Sequence, residues 1–240
     1  MIRTLWVCIS FYQEEAMLPD CLNSIANNVP FAKIVGVDGV YSTFAREAKI
    51  SAAKAYDTRQ RALGDEYLRY TSPRSTDESR AILERFGATV IDNGDQSWPN
   101  EYLKRSKYFI GNPQDWYLVI DADERLAGKF PTMEYLDQTD NWCINLLRDD
   151  GIRPYPILRV HRHPPAGVPI YYFGAHHALF FGDTLIRRED IENDWVIPGC
   201  YLDHQWAHRA ESNPVRHMTK GAYYRKLQEE ENVFRNIHKI

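Results

Sequence analysis

The sequence predicts an α/β fold, a largely parallel sheet flanked by helices. Three observations lead there. Short apolar runs and amphipathic stretches alternate four times through the first 125 residues, the pattern of a doubly wound sheet with helical crossovers. The apolar runs are continuous and short, which marks strands buried in the sheet centre. After Asp140 the texture changes to short aromatic segments broken by Pro and Gly. Those read as antiparallel strands and loops covering one end of the sheet.

Taken in order, "TLWVCISF" (4–11) is a buried strand, and "YQEEAMLPDCLNSI" turns helical, with Leu18, Leu22 and Ile25 at spacings of four and three. "AKIVGVDGV" is a second strand that ends on the Asp38-Gly39 turn. The polar segment Tyr41 to Arg74 has weak periodicity and room for a helix near 44–63. In "STDESRAILERFGATVIDNG", Ser75 or Thr76 is the expected helix cap, Gly87 the stop and "ATVID" the third strand. "PNEYLKRSKYFIG" follows as a helix with Tyr102, Leu103, Tyr108 and Phe109 as core candidates, and "WYLVIDADE" is the fourth strand. "NWCINLLRD", "PILRVHRH", "IYYFGAHHALFFG" and "YLDHQWAHR" supply the later strands. A closing helix begins at Ser212 or Asn213, with Pro214 in its first turn.

Composition narrows the function classes. A chain of 240 residues can bury a full core. A net charge of -4 argues against a general nucleic-acid binder, which would show a basic excess. Cys8, Cys21, Cys143 and Cys200 form no CxxC pair, which disfavours a zinc knuckle or a disulfide framework. Neither a signal peptide nor an apolar stretch of about 20 residues is present, so a soluble cytoplasmic protein without a membrane span is expected. Fifteen Tyr and six Trp suit a flat or sugar-like ligand, although core packing explains most such rings.

The chemistry gathers at "DWYLVIDADERL" (115–126), where an apolar strand ends on Asp121, Asp123 and Glu124. Like charges this close repel and resist burial. Either they lie on a solvated turn or something positive sits among them. Two aspartates spaced by one residue can both reach Mg²⁺ or Mn²⁺, which prefer oxygen ligands. Tyr12 to Glu15 and Asp38 end the first two strands, and open α/β sheets bind ligands at such carboxyl ends.

"ISFYQEE", "VGVDGVYS", "STDES", "LKRSKY" and "WYLVIDADERL" together resemble, in order, the landmarks of family 2 glycosyltransferases with the GT-A fold. The resemblance covers roughly residues 5–126. It implies a mixed sheet flanked by helices, with an irregular aromatic-rich C-terminal half. It also implies one domain over 1–240, with 1–126 binding the nucleotide sugar and 127–240 shaping the sugar and acceptor sites. Nucleotide binding would fall to Phe11, Tyr12, Glu14, Asp38, Lys104, Arg105, Asp121 and Ala122. Asp121 and Asp123 would hold Mn²⁺ or Mg²⁺, with His204 in "YLDHQW" as a further ligand. The family runs its aspartate-glycine turn directly into a Ser-Thr-Asp cap, whereas about 35 residues separate Asp38 from Ser75 here. That insertion carries Arg46, Lys49, Lys54, Arg59 and Arg61, and is either an acceptor arm, a lid or a solvated helix.

An inverting transfer needs a base for the acceptor hydroxyl. His177 in "GAHHALFF" and Asp190 in "RREDIEND" are the candidates that the resemblance offers. The expected activity is metal-dependent transfer of a sugar from a nucleotide-diphosphate donor, UDP-linked, to a glycan, protein or small-molecule acceptor. Nucleotidyl transfer is the alternative, but it brings a Gly-rich basic loop where this chain has the acidic "YQEE". A HAD-like phosphatase would want Thr or Val near position 125, where Arg125 stands. A nucleotide-sugar-binding module without catalysis is the non-enzyme reading, and intact Asp121 and Asp123 count against it.

Overall fold

Four parallel strands form the core that the apolar runs predict. The computed structural model describes residues 3–174, 178–186, 196–205, 207, 208, 211, 214, 215, 218–220, 223–225 and 229. Its strands are β1 Leu5–Phe11, β2 Lys33–Asp38, β3 Thr89–Ile91, β4 Trp116–Asp121, β5 Glu124–Gly128, β6 Cys143–Asp149, β7 Tyr155–Arg162, β8 Ile170–Phe173, β9 Ala178–Phe181, β10 Thr184–Ile186 and β11 Val196–His204. The helices are α1 Leu18–Asn28, α2 Ser42–Asp57, α3 Arg61–Leu68, α4 Ser79–Arg85, α5 Glu101–Arg105 and α6 Met133–Asp137.

The main sheet has the order β3-β2-β1-β4-β7-β6-β11-β5. β1 pairs in parallel with both β2 and β4, and β2 with β3. β7 then runs antiparallel to β4, which makes the sheet mixed. Alternation decides the two faces. Leu5, Val7, Ile9 and Phe11 of β1 join Trp116, Leu118 and Ile120 of β4 beneath Leu18, Leu22 and Leu83 of α1 and α4. Cys8, Tyr117 and Val119 point the other way, to Tyr108 and to Ile170, Tyr172 and Leu179 of the small β10-β9-β8 sheet. Strands covered on both faces cannot alternate with polar residues, hence the unbroken apolar runs.

Several expectations need correction. β6, β7 and β11 do not cover the end of the sheet; they extend it, because their apolar residues, among them Ile144, Leu146, Val160 and Leu202, belong to the same core. The insertion holds two helices instead of one, broken at Arg59, which adopts a positive φ of 61°. Ser75 and Thr76 do not cap α4, which starts at Ser79 without a side-chain cap bond. Asp77 Oδ1 instead accepts from the Ser79 amide, at 3.1 Å. Gly87 does end that helix, at φ 73°. Leu103 is 42% exposed, since α5 buries Glu101, Lys104 and Arg105 in its place. Ser212 and Asn213, the expected caps of the last helix, lie outside the described residues. Among the described residues no helix is long and apolar enough to cross a membrane.

The insertion is a closed excursion. It leaves after Asp38 and returns to it, because the Ser75 amide and hydroxyl both donate to the Asp38 carboxylate, the hydroxyl at 2.6 Å. Tyr12 donates its hydroxyl to the Ser72 carbonyl at 2.9 Å, and Gln13 Nε2 reaches the Arg69 carbonyl at 3.0 Å. Phe44, Ala48, Ala52, Tyr67 and Tyr70 build a separate apolar cluster with Val215 and Tyr223 of the C-terminal segment. Alanines at small spacing let the helices approach closely, which explains the weak periodicity read from sequence.

Candidate functional site

Parallel pairing brings three strand ends level. Phe11 is in register with Asp38, and Ser10 with Asp121. The chain places β2 and β3 on one side of β1 and β4 on the other, so the strand order reverses beside β1. That is where an open α/β sheet leaves a crevice. A pocket open to solvent occupies it. Ser10, Phe11, Tyr12, Asp121 and Ala122 line it from the strand ends and Glu101, Lys104 and Arg105 from α5. Gly39, Val40, Tyr41, Phe44 and Lys220 complete the wall.

Six of the eight expected nucleotide-binding residues therefore meet at one pocket: Phe11, Tyr12, Lys104, Arg105, Asp121 and Ala122. Lys104 is 1% exposed and donates its ammonium to the Phe11 carbonyl at 2.6 Å and the Gly39 carbonyl at 2.8 Å, strapping β1 to β2. Asp38 and Glu14 are not part of the lining. Asp38 is wholly buried, and its carboxylate holds Ser75. Burial pushes its pKa up; Lys104 and the Ser75 hydrogen bonds only partly offset this. Gly39 adopts φ 116°, and a Cβ there would meet the Pro73 carbonyl at 2.7 Å. Only glycine turns the chain so tightly.

What sits among the carboxylates is arginine. Asp121 Oδ1 pairs with Arg105 at 2.7 Å and Oδ2 with Arg159 at 2.9 Å. The same Arg159 nitrogen reaches Glu124 Oε1 at 2.7 Å, and Arg148 Nε lies 3.4 Å from that oxygen. Arg105 also pairs with Glu101 at 3.1 Å, one helical turn away. Burial raises the Asp121 pKa, but Arg105, Arg159 and Lys220 outweigh it and hold the carboxyl well below the usual range. For Glu124 burial wins over Arg159, and the net direction is up.

Asp123 follows in the turn and is 3% exposed. His204 stands over it with Nε2 3.3 Å from Asp123 Oδ2 and Nδ1 2.9 Å from Asp150 Oδ1. Burial alone would lower the His204 pKa, yet the Asp123 hydrogen bond and charge raise it overall. β11 delivers this histidine because it pairs with β5, placing His204 opposite Glu124. The amide of Gln205 then donates to the Asp123 carbonyl at 2.7 Å and pins the junction.

The Asp123 carboxylate suits Mn²⁺ or Mg²⁺ in donor type, whereas an imidazole beside it can join Mn²⁺ but is a poor donor to Mg²⁺. Two of the three expected ligands, Asp123 and His204, come together; Asp121 is turned to its arginines. Among the described residues no group of three or more His, Cys, Asp or Glu side chains is placed to hold a metal. His177 and Asp190, the base candidates, lie outside the described residues.

The sequence reading missed Glu101, Arg148, Arg159 and Lys220. Glu101 and Arg105 stand four apart on one helix, a legible pair. Arg159 interrupts the apolar run "PILRVHRH", and a charge in such a run is a usable signal of a buried partner.

No protein-family model matches this chain, and no curated protein matches it. Among solved structures it is similar to S. aureus TarS. The complex of TarS 1-349 with UDP-GlcNAc matches at 15% identity and a TM-score of 0.37, over 64% of this chain and 37% of that one. The UDP complex gives 16% and 0.38, over 64% and 38%. A further S. aureus TarS structure gives 12% and 0.43, over 84% and 36%. The match thus spans little more than a third of those chains. At such identities and scores the likeness carries no argument about reaction or substrate.

Proposed function

We propose that this chain is a glycosyltransferase acting on a nucleotide-diphosphate sugar, with UDP as the nucleotide. The observation that supports the reading is the pocket at the carboxyl ends of β1, β2 and β4, lined by six residues singled out from sequence. Tyr12 and Tyr41 offer ring faces and backbone polar groups suited to a base and ribose. The floor is acidic but neutralised by Arg105 and Arg159, so a diphosphate meets an electrically balanced surface and not a bare cluster of like charge.

Glycosyl transfer builds negative charge on the departing diphosphate, and stabilising that charge is the main catalytic task. A Mn²⁺ ion at Asp123 and His204 would supply Lewis-acid charge there. Asp150 holds the imidazole at Nδ1, the Arg148 guanidinium lies against both ring nitrogens at 2.6 and 2.8 Å, and the Arg105–Asp121–Arg159 tie fixes the turn that carries Asp123. His177 or Asp190 would take the acceptor proton in an inverting reaction.

Calorimetry with a panel of nucleoside diphosphates and Mn²⁺ tests this, with UDP and UDP-GlcNAc heading the panel. UDP should bind, Asp123→Ala should remove the Mn²⁺-dependent part of the affinity, and UDP-GlcNAc should release UDP slowly in the presence of metal. Folded protein that binds no member of the panel would overturn the reading. UDP affinity that Asp123→Ala leaves unchanged, with metal present, would overturn the metal assignment alone.

A further inference from the structure

Where β6 and β11 run out side by side, a second carboxylate meets His204. The two strands are parallel, with Leu202 level with Arg148 and Asp203 level with Asp149. His204 therefore comes level with Asp150, the first residue past β6, and alternation turns Arg148, Asp150 and His204 to one face. Asp150 Oδ1 lies 2.9 Å from His204 Nδ1. That carboxylate is itself held in place. Tyr155 donates its hydroxyl to Oδ2 at 2.9 Å across the turn between β6 and β7, and Arg148 Nε lies 3.1 Å from Oδ1.

We propose that Asp150 is a positioning residue: it holds His204 as the Nδ1–H tautomer, keeps the Nε2 lone pair for the metal, and so favours Mn²⁺ over Mg²⁺. The proposal rests on the reading of Asp123 and His204 as a metal site. A carboxylate only accepts, so the ring nitrogen that bonds to it must carry the proton. A neutral ring has one such proton for two carboxylates. Asp150 is the nearer, at 2.9 Å from Nδ1 against 3.3 Å between Nε2 and Asp123 Oδ2. Arg148 does not choose between the nitrogens. Its Nη2 lies 2.6 Å from Nδ1 and 2.8 Å from Nε2, but their lone pairs diverge in the ring plane, so one N–H cannot serve both. Metal-binding histidines commonly give their other N–H to a carboxylate, which fixes the ring and strengthens the donor. Mn²⁺ accepts an imidazole beside a carboxylate, whereas Mg²⁺ takes oxygen ligands. Keeping Nε2 available therefore helps Mn²⁺ most, while the Asp123 carboxylate serves both ions.

Two measurements on the full chain test this. Nitrogen-15 NMR of metal-free, histidine-labelled protein, at a pH where the ring is neutral, reads the tautomer directly; His204→Ala identifies the signal. Wild type should show His204 as Nδ1–H, and Asp150→Ala should shift it toward Nε2–H. Finding Nε2–H in wild type overturns the proposal without reference to any metal. Calorimetry with MnCl₂ and MgCl₂, each with and without UDP, then compares wild type, Asp150→Ala, His204→Ala and the double variant. Asp150→Ala should weaken Mn²⁺ roughly 10- to 100-fold, the usual loss for such a supporting carboxylate, and Mg²⁺ far less. In the His204→Ala background it should cost Mn²⁺ nothing further, because Asp150 acts through the ring. Equal losses for the two ions, or the full loss repeated without His204, would show a merely structural role and overturn the proposal. So would an Asp150→Ala protein that binds Mn²⁺ as well as wild type. If wild type binds no Mn²⁺ with or without UDP, the metal reading itself falls and this proposal with it.

Discussion

Replacing Arg159 with Met removes one buried charge and keeps most of the stem that fills its place. Arg159 is 8% exposed, and a single guanidinium nitrogen serves Asp121 at 2.9 Å and Glu124 at 2.7 Å. Removing one partner of a buried ion pair typically costs about 3–5 kcal/mol, because the remaining charge stays buried. Asp121 keeps Arg105 and Glu124 keeps Arg148, so the expected loss for Arg159→Met is at the low end, about 3 kcal/mol. For a chain of this size that lowers Tm by roughly 6–12 °C. Arg80→Met is the matched control. Arg80 also faces two carboxylates, Asp92 at 2.6 Å and Glu84 at 2.9 Å, but its side chain is 38% exposed. Solvent screening limits its loss to about 1 kcal/mol or less. Urea denaturation followed by tryptophan fluorescence, with thermal melts alongside, measures both variants. Equal losses for the two arginines would refute the argument that burial sets the strength of the Asp121–Arg159–Glu124 tie.

Other outcomes follow from single positions. Gly39→Ala forces a side chain into φ 116° and against the Pro73 carbonyl, which should cost about 2–4 kcal/mol in urea denaturation; a loss near zero would mean the turn relaxes freely. His161 is buried beside Arg159, and burial first, then that charge, lowers its pKa to about 3. The unfolded chain therefore takes up a proton below about pH 6.5 that the folded chain refuses, so this group's share of stability is present above that pH. Between about pH 6.5 and 3 it falls by up to about 1.4 kcal/mol per unit. His161→Phe should flatten that slope in urea midpoints measured across the window, and an unchanged slope would assign it to other groups. His177→Ala should spare UDP binding and slow sugar transfer by ~10²–10⁴-fold. If transfer persists near the wild-type rate, Asp190→Asn in the same assay decides whether either residue is the base.

What the sequence determined by itself was local or nearly so. Strands β1, β2 and β4 show as apolar runs because burial on both faces removes polar residues from them. Their ends show because Asp38-Gly39 and Asp121-Ala122-Asp123 break the run. The pocket lining was legible for Phe11, Tyr12, Lys104, Arg105, Asp121 and Ala122 because they follow or face those strand ends. The positive groups among the carboxylates were decided only by tertiary structure. Arg159 reaches Asp121 across 38 residues because β7 lies beside β4, a neighbour relation that no spacing in the chain encodes. Likewise Ser75 closes on Asp38 across 37 residues, and Lys220 reaches the pocket only because Tyr223 packs on the insertion. Periodicity reports which face of an element is buried, but the partner of a buried charge is set by which strands come to lie side by side.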